Sequence, residues 1–266
     1  MTQALPRTNF NSSRLLRFLA DLSIVDAAEP QQAFAERLGQ WLDIADAITL
    51  SASLGASPAS PSAAQSGGQS GASAAMAEEL ARIRTASVDS ITKSFSSDVS
   101  EARIKLPSPK SGAAIEVDAG NAGNELAADY EPYRRFYFAH QREMELSIRP
   151  LRANVRETLA QVSPALKQLA ALDAALDKIV GVRERQLLST VPVLLEKRFE
   201  QLLRAHRQTL AEAQCADSAD LWMQPGGWLA GFCRELQGVL LAELDVRLQP
   251  AEGLIEAFSN EAKKQK

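Results

Sequence analysis

Few residues in this chain could do chemistry. Its 266 residues include two histidines, His140 and His206, and two cysteines, Cys215 and Cys233. A histidine-rich metal site is out of reach, and neither histidine stands in the His-Glu-x-x-His pattern that sets two imidazoles on one helical face around zinc. His140 shares a helical face with Tyr137 and Met144, the position of a satisfied, semi-buried core histidine and not of a general base. The cysteines lack metal-type spacing, and Cys233 falls among Leu229, Phe232 and Leu236 as a small core residue would. No phosphate-cradling loop ends in Lys-Ser or Lys-Thr, Gly120 to Gly123 has no strand before it, and no Gly-x-Ser-x-Gly elbow occurs. Paired carboxylates such as Glu143 and Glu145 stand among arginines as surface residues. The expected sets of catalytic, cofactor-binding and metal-binding residues are therefore empty, and no cofactor is expected.

One pattern with binding chemistry remains. Arg135, Arg142, Arg149 and Arg156 recur every seven residues, with Phe138 among them, on the helical face opposite an apolar stripe. Such a face is either solvated and partly paired with acids, or an interface in which an aromatic anchor is flanked by arginines. Solvated is the ordinary state of such a face, and Phe138 keeps the interface reading open: in it Arg135, Phe138, Arg142, Arg149 and Arg156 form a partner-docking ridge, while Tyr133, Phe136, Tyr137 and Met144 face the core. The same stripe could meet nucleic acid. A net charge of -4 and a pI near 5.4 count against that, because phosphate binding draws on many uncompensated cations. A cryptic hydrolase is a second alternative with no visible pairing of nucleophile and base.

These side chains must be carried by helices. The chain is 45% hydrophobic but only 6% aromatic, and its apolar set is dominated by Ala and Leu, which suits helix packing and not a β-sandwich. Tyr133, Phe136, Tyr137, His140, Met144, Leu151, Val155, Leu159, Leu166 and Leu176 keep one helical phase across Pro150 and Pro164. This predicts one long kinked helix from about Asp129 to Val180, or else a new helix capped by Ser163 with Pro164 in first position. A second stripe follows Gly181 through Leu188, Leu195, Phe199 and His206. If Gly181 turns the chain, Leu176 meets Leu188 and Leu169 meets Leu195 in a hairpin; a continuous rod that dimerises is the other possibility.

The expected architecture is all-α: an elongated helical bundle or hairpin organised on long kinked amphipathic helices, with flexible linkers rich in Ala, Ser, Gly and Pro. Residues 1–54 read as a helical pair with Trp41 as anchor, 55–75 as a disordered linker and 76–104 as an amphipathic helix. A second linker spans 105–124, the long central helices 125–214, and C-terminal helices 215–266, with Pro250 stopping or kinking the last of them. The first apolar run, Leu15 to Val25, carries Arg17 and Asp21, so no secretory signal is expected, and no stretch reads as a membrane span. The expected compartment is the cytoplasm.

The run Tyr-Arg-Arg-Phe-Tyr-Phe-Ala-His-Gln-Arg-Glu-Met-Glu from Tyr133 to Glu145 resembles a proteobacterial family, domain of unknown function 3348. So do Ser-Pro-Ala-Leu from Ser163, Arg-Leu-Gly-Gln-Trp-Leu-Asp around Trp41 and Lys-Arg-Phe-Glu-Gln-Leu from Lys197. The family carries no assigned activity, so the resemblance transfers no catalytic residue. It implies a cytoplasmic bacterial protein encoded beside envelope components similar to proton-channel and peptidoglycan-binding motor proteins. Residues and resemblance together point to a non-enzymatic helical adaptor whose partner is a protein, either a second copy of the chain or an envelope-associated component, with nucleic acid unexpected.

Overall fold

Of the four prolines between Asp129 and Gln214, only Pro164 divides the apolar pattern into separate helices. The structure is a computed structural model that describes residues 13–22, 40, 42–55, 69–96, 102–109 and 128–264. Among these residues there is no strand, and seven helices form an all-α fold: α1 (Arg14–Asp21), α2 (Ile44–Gly55), α3 (Gln69–Ser94), α4 (Glu131–Val162), α5 (Pro164–Ala213), α6 (Ala219–Trp222) and α7 (Trp228–Lys264). α4 runs through Pro150 and ends at Val162. There Ser163 takes an extended backbone, and its hydroxyl accepts the amide of Leu166 at 3.2 Å. Pro164 fills the first position of α5, where a missing N–H costs nothing. The expected single helix to Val180 is thus divided at a true cap.

Gly181 is not the turn. It lies buried inside α5, a continuous helix of 50 residues. The chain reverses at Ser163 instead: Tyr130 donates to the Pro192 carbonyl, Gln141 reaches the Leu188 carbonyl and Arg152 pairs with Asp173, so α4 and α5 run antiparallel. Leu176 and Leu188, expected to face one another, stand on the same helix. A lone glycine costs only about 1 kcal/mol in a helix interior, too little to break a run of Ala and Leu, whereas Ser-Pro supplies both a cap and a pre-set φ.

α7 begins after Gly226, whose φ is +91°, and Gly227, where a Cβ would collide with the Trp222 carbonyl. It passes through Pro250 unbroken, so of the stop or kink expected there the stop does not occur. Tyr133 and Tyr137 of α4 meet Phe232 and Glu243 of α7, so these two helices are parallel, while Arg198 and Glu235 pair α5 with α7 in the opposite sense. α3 returns antiparallel to α4, with Phe95 edge-on to Phe136 at 5.2 Å and Ser90 bonded to Glu143 at 2.7 Å. α3, α4, α5 and α7 thereby enclose one core. α1 lies on α7, where Gly238 makes room for the Phe18 ring.

Some expectations shift at the edges. α3 starts at Gln69, ahead of Met76, because Ala-rich sequence favours helix and Ser73 and Met76 are buried. Residues 56–68 and 110–124, the rest of both expected linkers, lie outside the described residues, as do residues 125–127 and Trp41. The described piece 105–109 is attached: the Pro107 carbonyl accepts from Tyr133 at 3.3 Å. α2 covers the start of α5, yet none of its side chains is buried.

Pro192 has a consequence in the core. It lacks the amide that the Leu188 carbonyl, four residues earlier, would accept. Gln141 Nε2 supplies that bond at 3.0 Å and also donates to Glu243 at 2.9 Å. Glu243 is fully buried and further accepts from the Tyr137 hydroxyl at 2.6 Å and from Arg247 Nε at 2.8 Å. Burial, and then the neighbouring carboxylate, push the Tyr137 phenol well above its ordinary range. A carboxylate at this depth is tolerated only when paired and hydrogen-bonded, and these groups from α4 and α7 provide that, while Gln141 links them to α5. Replacing Gln141 with Leu should cost about 1–3 kcal/mol in urea unfolding. In a Pro192→Ala background, where residue 192 regains an amide for Leu188, the cost should fall by about 0.5 kcal/mol or more; strictly additive losses would mean that Gln141 does not answer for Pro192.

Candidate functional site

α4 has two faces, and each presents a different chemistry. Tyr133, Phe136, Tyr137 and Met144 are buried in the core, as their phase requires. Phe138, two residues beyond Phe136, points the other way and is 37% exposed, with the Arg134 guanidinium 5.7 Å above its ring. Arg142 and Arg149 are exposed on the same face, and Arg135 is exposed while paired with Glu131 at 3.0 Å. Leu146, 67% exposed, joins them eight residues after Phe138. Sequence reasoning had passed over Leu146. Its signal was an apolar residue out of phase with the core stripe.

Arg156 does not share this face. Its guanidinium bonds Asp173 at 2.6 Å and Asp177 at 2.8 Å, and Arg152 holds the same two carboxylates from the next turn. By phase Arg156 stands about five turns after Phe138 and in line with it, and it is the two carboxylates of α5 that draw its long side chain off the exposed face. Partial burial opposes the charge on Asp173, and hydrogen bonds from Arg152 and Arg156 outweigh it, holding the carboxyl below its ordinary range. Arg156 therefore staples the hairpin near its turn.

A groove of about 440 Å³ lies beside the exposed face, between α3 and α4, with Ile83, Leu146, Pro150 and Leu151 as its apolar lining and Ser87 and Ser90 as its polar one. At the far end of the bundle, Asp217 accepts from Trp222 Nε1 at 2.7 Å and meets His206 Nε2 at 3.0 Å, and the His206 ring stacks on Trp228. This cluster ties the α6 turn to α5. No group of three His, Cys, Asp or Glu capable of holding a metal occurs among the described residues. Cys215 is exposed; Cys233 is buried, which pushes its thiol up to about 12.

The family described as protein of unknown function (DUF3348) matches residues 1–260, which contain the whole of α4, its exposed face and both helices that flank it. The chain belongs to that family. No curated protein and no solved structure matches it. The DUF3348 match extends over α1 to α6 and most of α7, so it describes the bundle as a unit and not the Tyr133–Glu145 run alone.

His140 differs from expectation in one respect. It is buried, at 1% exposure, with its ring edge-on to Phe136, but Nε2 has no hydrogen-bond partner and Nδ1 is 4.0 Å from Glu143. It is a core histidine left unsatisfied, in a place with more apolar surface than acceptors. Burial lowers its pKa to about 4, the Glu143 charge opposing the shift only in part. Its folded pKa lies below the unfolded value of 6.5, so the unfolded chain binds the proton first and stability falls as pH drops from 6.5 toward 4. A His140→Leu variant should lack this loss. Between those limits the wild type should lose on the order of 2–3 kcal/mol more than the variant in urea titrations, and parallel pH profiles would show that His140 does not titrate in this way.

Proposed function

We propose that the chain is a non-enzymatic helical interaction module that docks an acidic amphipathic helix of a protein partner on the outer face of α4. The observation that carries this is the pair Phe138 and Leu146, two exposed apolar side chains on a face otherwise formed by Arg135, Arg142 and Arg149. Eight residues at about 1.5 Å each separate the two anchors by roughly 12 Å, the distance between positions two turns apart on a partner helix. The arginines complement an acidic partner and steer its approach. Arg156 contributes to the rigidity of this face and not to the contact.

Nucleic acid is less well supported by the same geometry. Arg156 is neutralised by Asp173 and Asp177 and Arg135 by Glu131, which leaves a short basic stretch for phosphate. No described helix is long and apolar enough to cross a membrane. A cytoplasmic adaptor reaching an envelope-associated protein, the partner implied by the resemblance, fits an interaction helix with no chemistry of its own. A second copy of the chain is the competing occupant.

A photo-crosslinking residue at position 142, followed by purification of the captured partner, tests the proposal. With the purified pair, Phe138→Ala should weaken binding by about 2 kcal/mol or more while leaving thermal melting unchanged, and Leu146→Ala should act in the same direction. Truncating Phe136 instead should cost roughly 3–5 kcal/mol of stability. Capture of nucleic acid, or partner binding indifferent to Phe138 and Leu146, would contradict the docking face.

A further inference from the structure

Gly181 is poorly chosen for a helix. It sits in the interior of α5, where glycine costs about 1 kcal/mol relative to alanine. A Cβ at this buried position would press on the Asp177 carboxylate at 3.3 Å and touch the Arg185 guanidinium at 3.5 Å. Its absence leaves room at the base of a second groove, about 470 Å³, between α4 and α5, with Arg247 of α7 in its lining.

Five cations line this groove, Arg149, Arg152, Lys178, Arg185 and Arg247, against the carboxylates Glu145, Asp177 and Glu184. Arg152 and Asp177 are bound to each other at 3.0 Å. Arg247 is held through Nε and Nη2 by Glu243, and its Nη1 carries no hydrogen bond among the described residues. Arg149, Lys178 and Arg185 have no ion pair there either. A planar carboxylate is held by two guanidinium groups, as Asp173 is by Arg152 at 2.7 and 3.0 Å and by Arg156 at 2.6 Å. Cations contributed by three helices suit a tetrahedral phosphoryl group with several peripheral oxygens. Glu145 and Glu184, ionised, can only accept hydrogen bonds, which suits hydroxyls on the body that carries the phosphate.

We propose that this groove binds a soluble phosphate monoester of a small polyhydroxylated molecule. The phosphoryl group sits among Arg149, Lys178, Arg185 and Arg247 Nη1, and the hydroxyls meet Glu145 and Glu184. The site adjoins the docking face and shares Arg149 with it.

Calorimetric titration of the full chain with a phosphate monoester of glucose, inorganic phosphate and free glucose, at matched ionic strength, tests it. The expected result is saturable binding of the monoester, weaker binding of inorganic phosphate and none of glucose. Lys178 and Arg185 are exposed, so the K178A/R185A double variant should melt as the wild type does and bind the monoester about tenfold or more weakly. Gly181→Leu, which fills the base of the groove without removing charge, should abolish binding; if it unfolds, the double variant decides. No saturable binding of the monoester, or equal binding by wild type and the double variant, would overturn the proposal. Flotation with vesicles carrying phosphatidylinositol phosphate separates the sources: binding there but not to the soluble monoester would overturn the soluble assignment.

Discussion

Glu243 constrains the whole bundle. A fully buried carboxylate must be surrounded by donors or the chain will not keep it there, and the donors come from fixed places: Tyr137 and Gln141 one turn apart on α4, and Arg247 one turn further along α7. Gln141 adds the third helix, since it also answers the Leu188 carbonyl that Pro192 leaves bare on α5. A slip of α4 by one turn would unpair a buried charge, a buried amide and a buried carbonyl together. Apolar packing of Leu and Ala could accept several registers; this polar cluster accepts one.

The fixed register is what gives the outer face of α4 its meaning. With Tyr133, Phe136 and Tyr137 committed inward, Phe138 and Leu146 cannot be buried by the packing that stabilises the fold. The ion-pair cluster of Arg152, Arg156, Asp173 and Asp177 holds the hairpin near Ser163, and the Asp217, His206 and Trp222 cluster holds the opposite end. The exposed face is therefore presented by a helix fastened along its inner side.

Much of the fold was legible in the sequence, because apolar phase is a direct record of burial. The faces of α4, the helical class and the core position of Cys233 follow from spacing alone. Helix boundaries were less legible. Ser163-Pro164 and Gly181 both resemble stops, and choosing between them requires weighing a cap that satisfies an amide against a glycine that merely costs propensity. Prolines 150, 192 and 250 are absorbed inside helices, and for Pro192 a neighbour remote in sequence, Gln141, supplies the bond that its missing amide leaves open. The candidate site was legible in part: Phe138, Arg142 and Arg149 stand as their phase predicts, Arg156 has the same phase but is drawn to Asp173 and Asp177, partners remote in sequence, and Leu146 is an apolar residue outside the core stripe. Neither Glu243 nor Gln141 carries any local mark, since a buried polar residue looks like a surface one until its partners are in place.

Hydrogen exchange read by mass spectrometry on the full chain tests the central claim, that one buried polar cluster binds α4, α5 and α7 into a single cooperative unit. Amides around 137–145, 184–195 and 239–248 should be the slowest to exchange and should lose protection together as denaturant is raised, at the free energy of global unfolding. Earlier, separate exchange of the α4 segment, with α5 and α7 still protected, would contradict it.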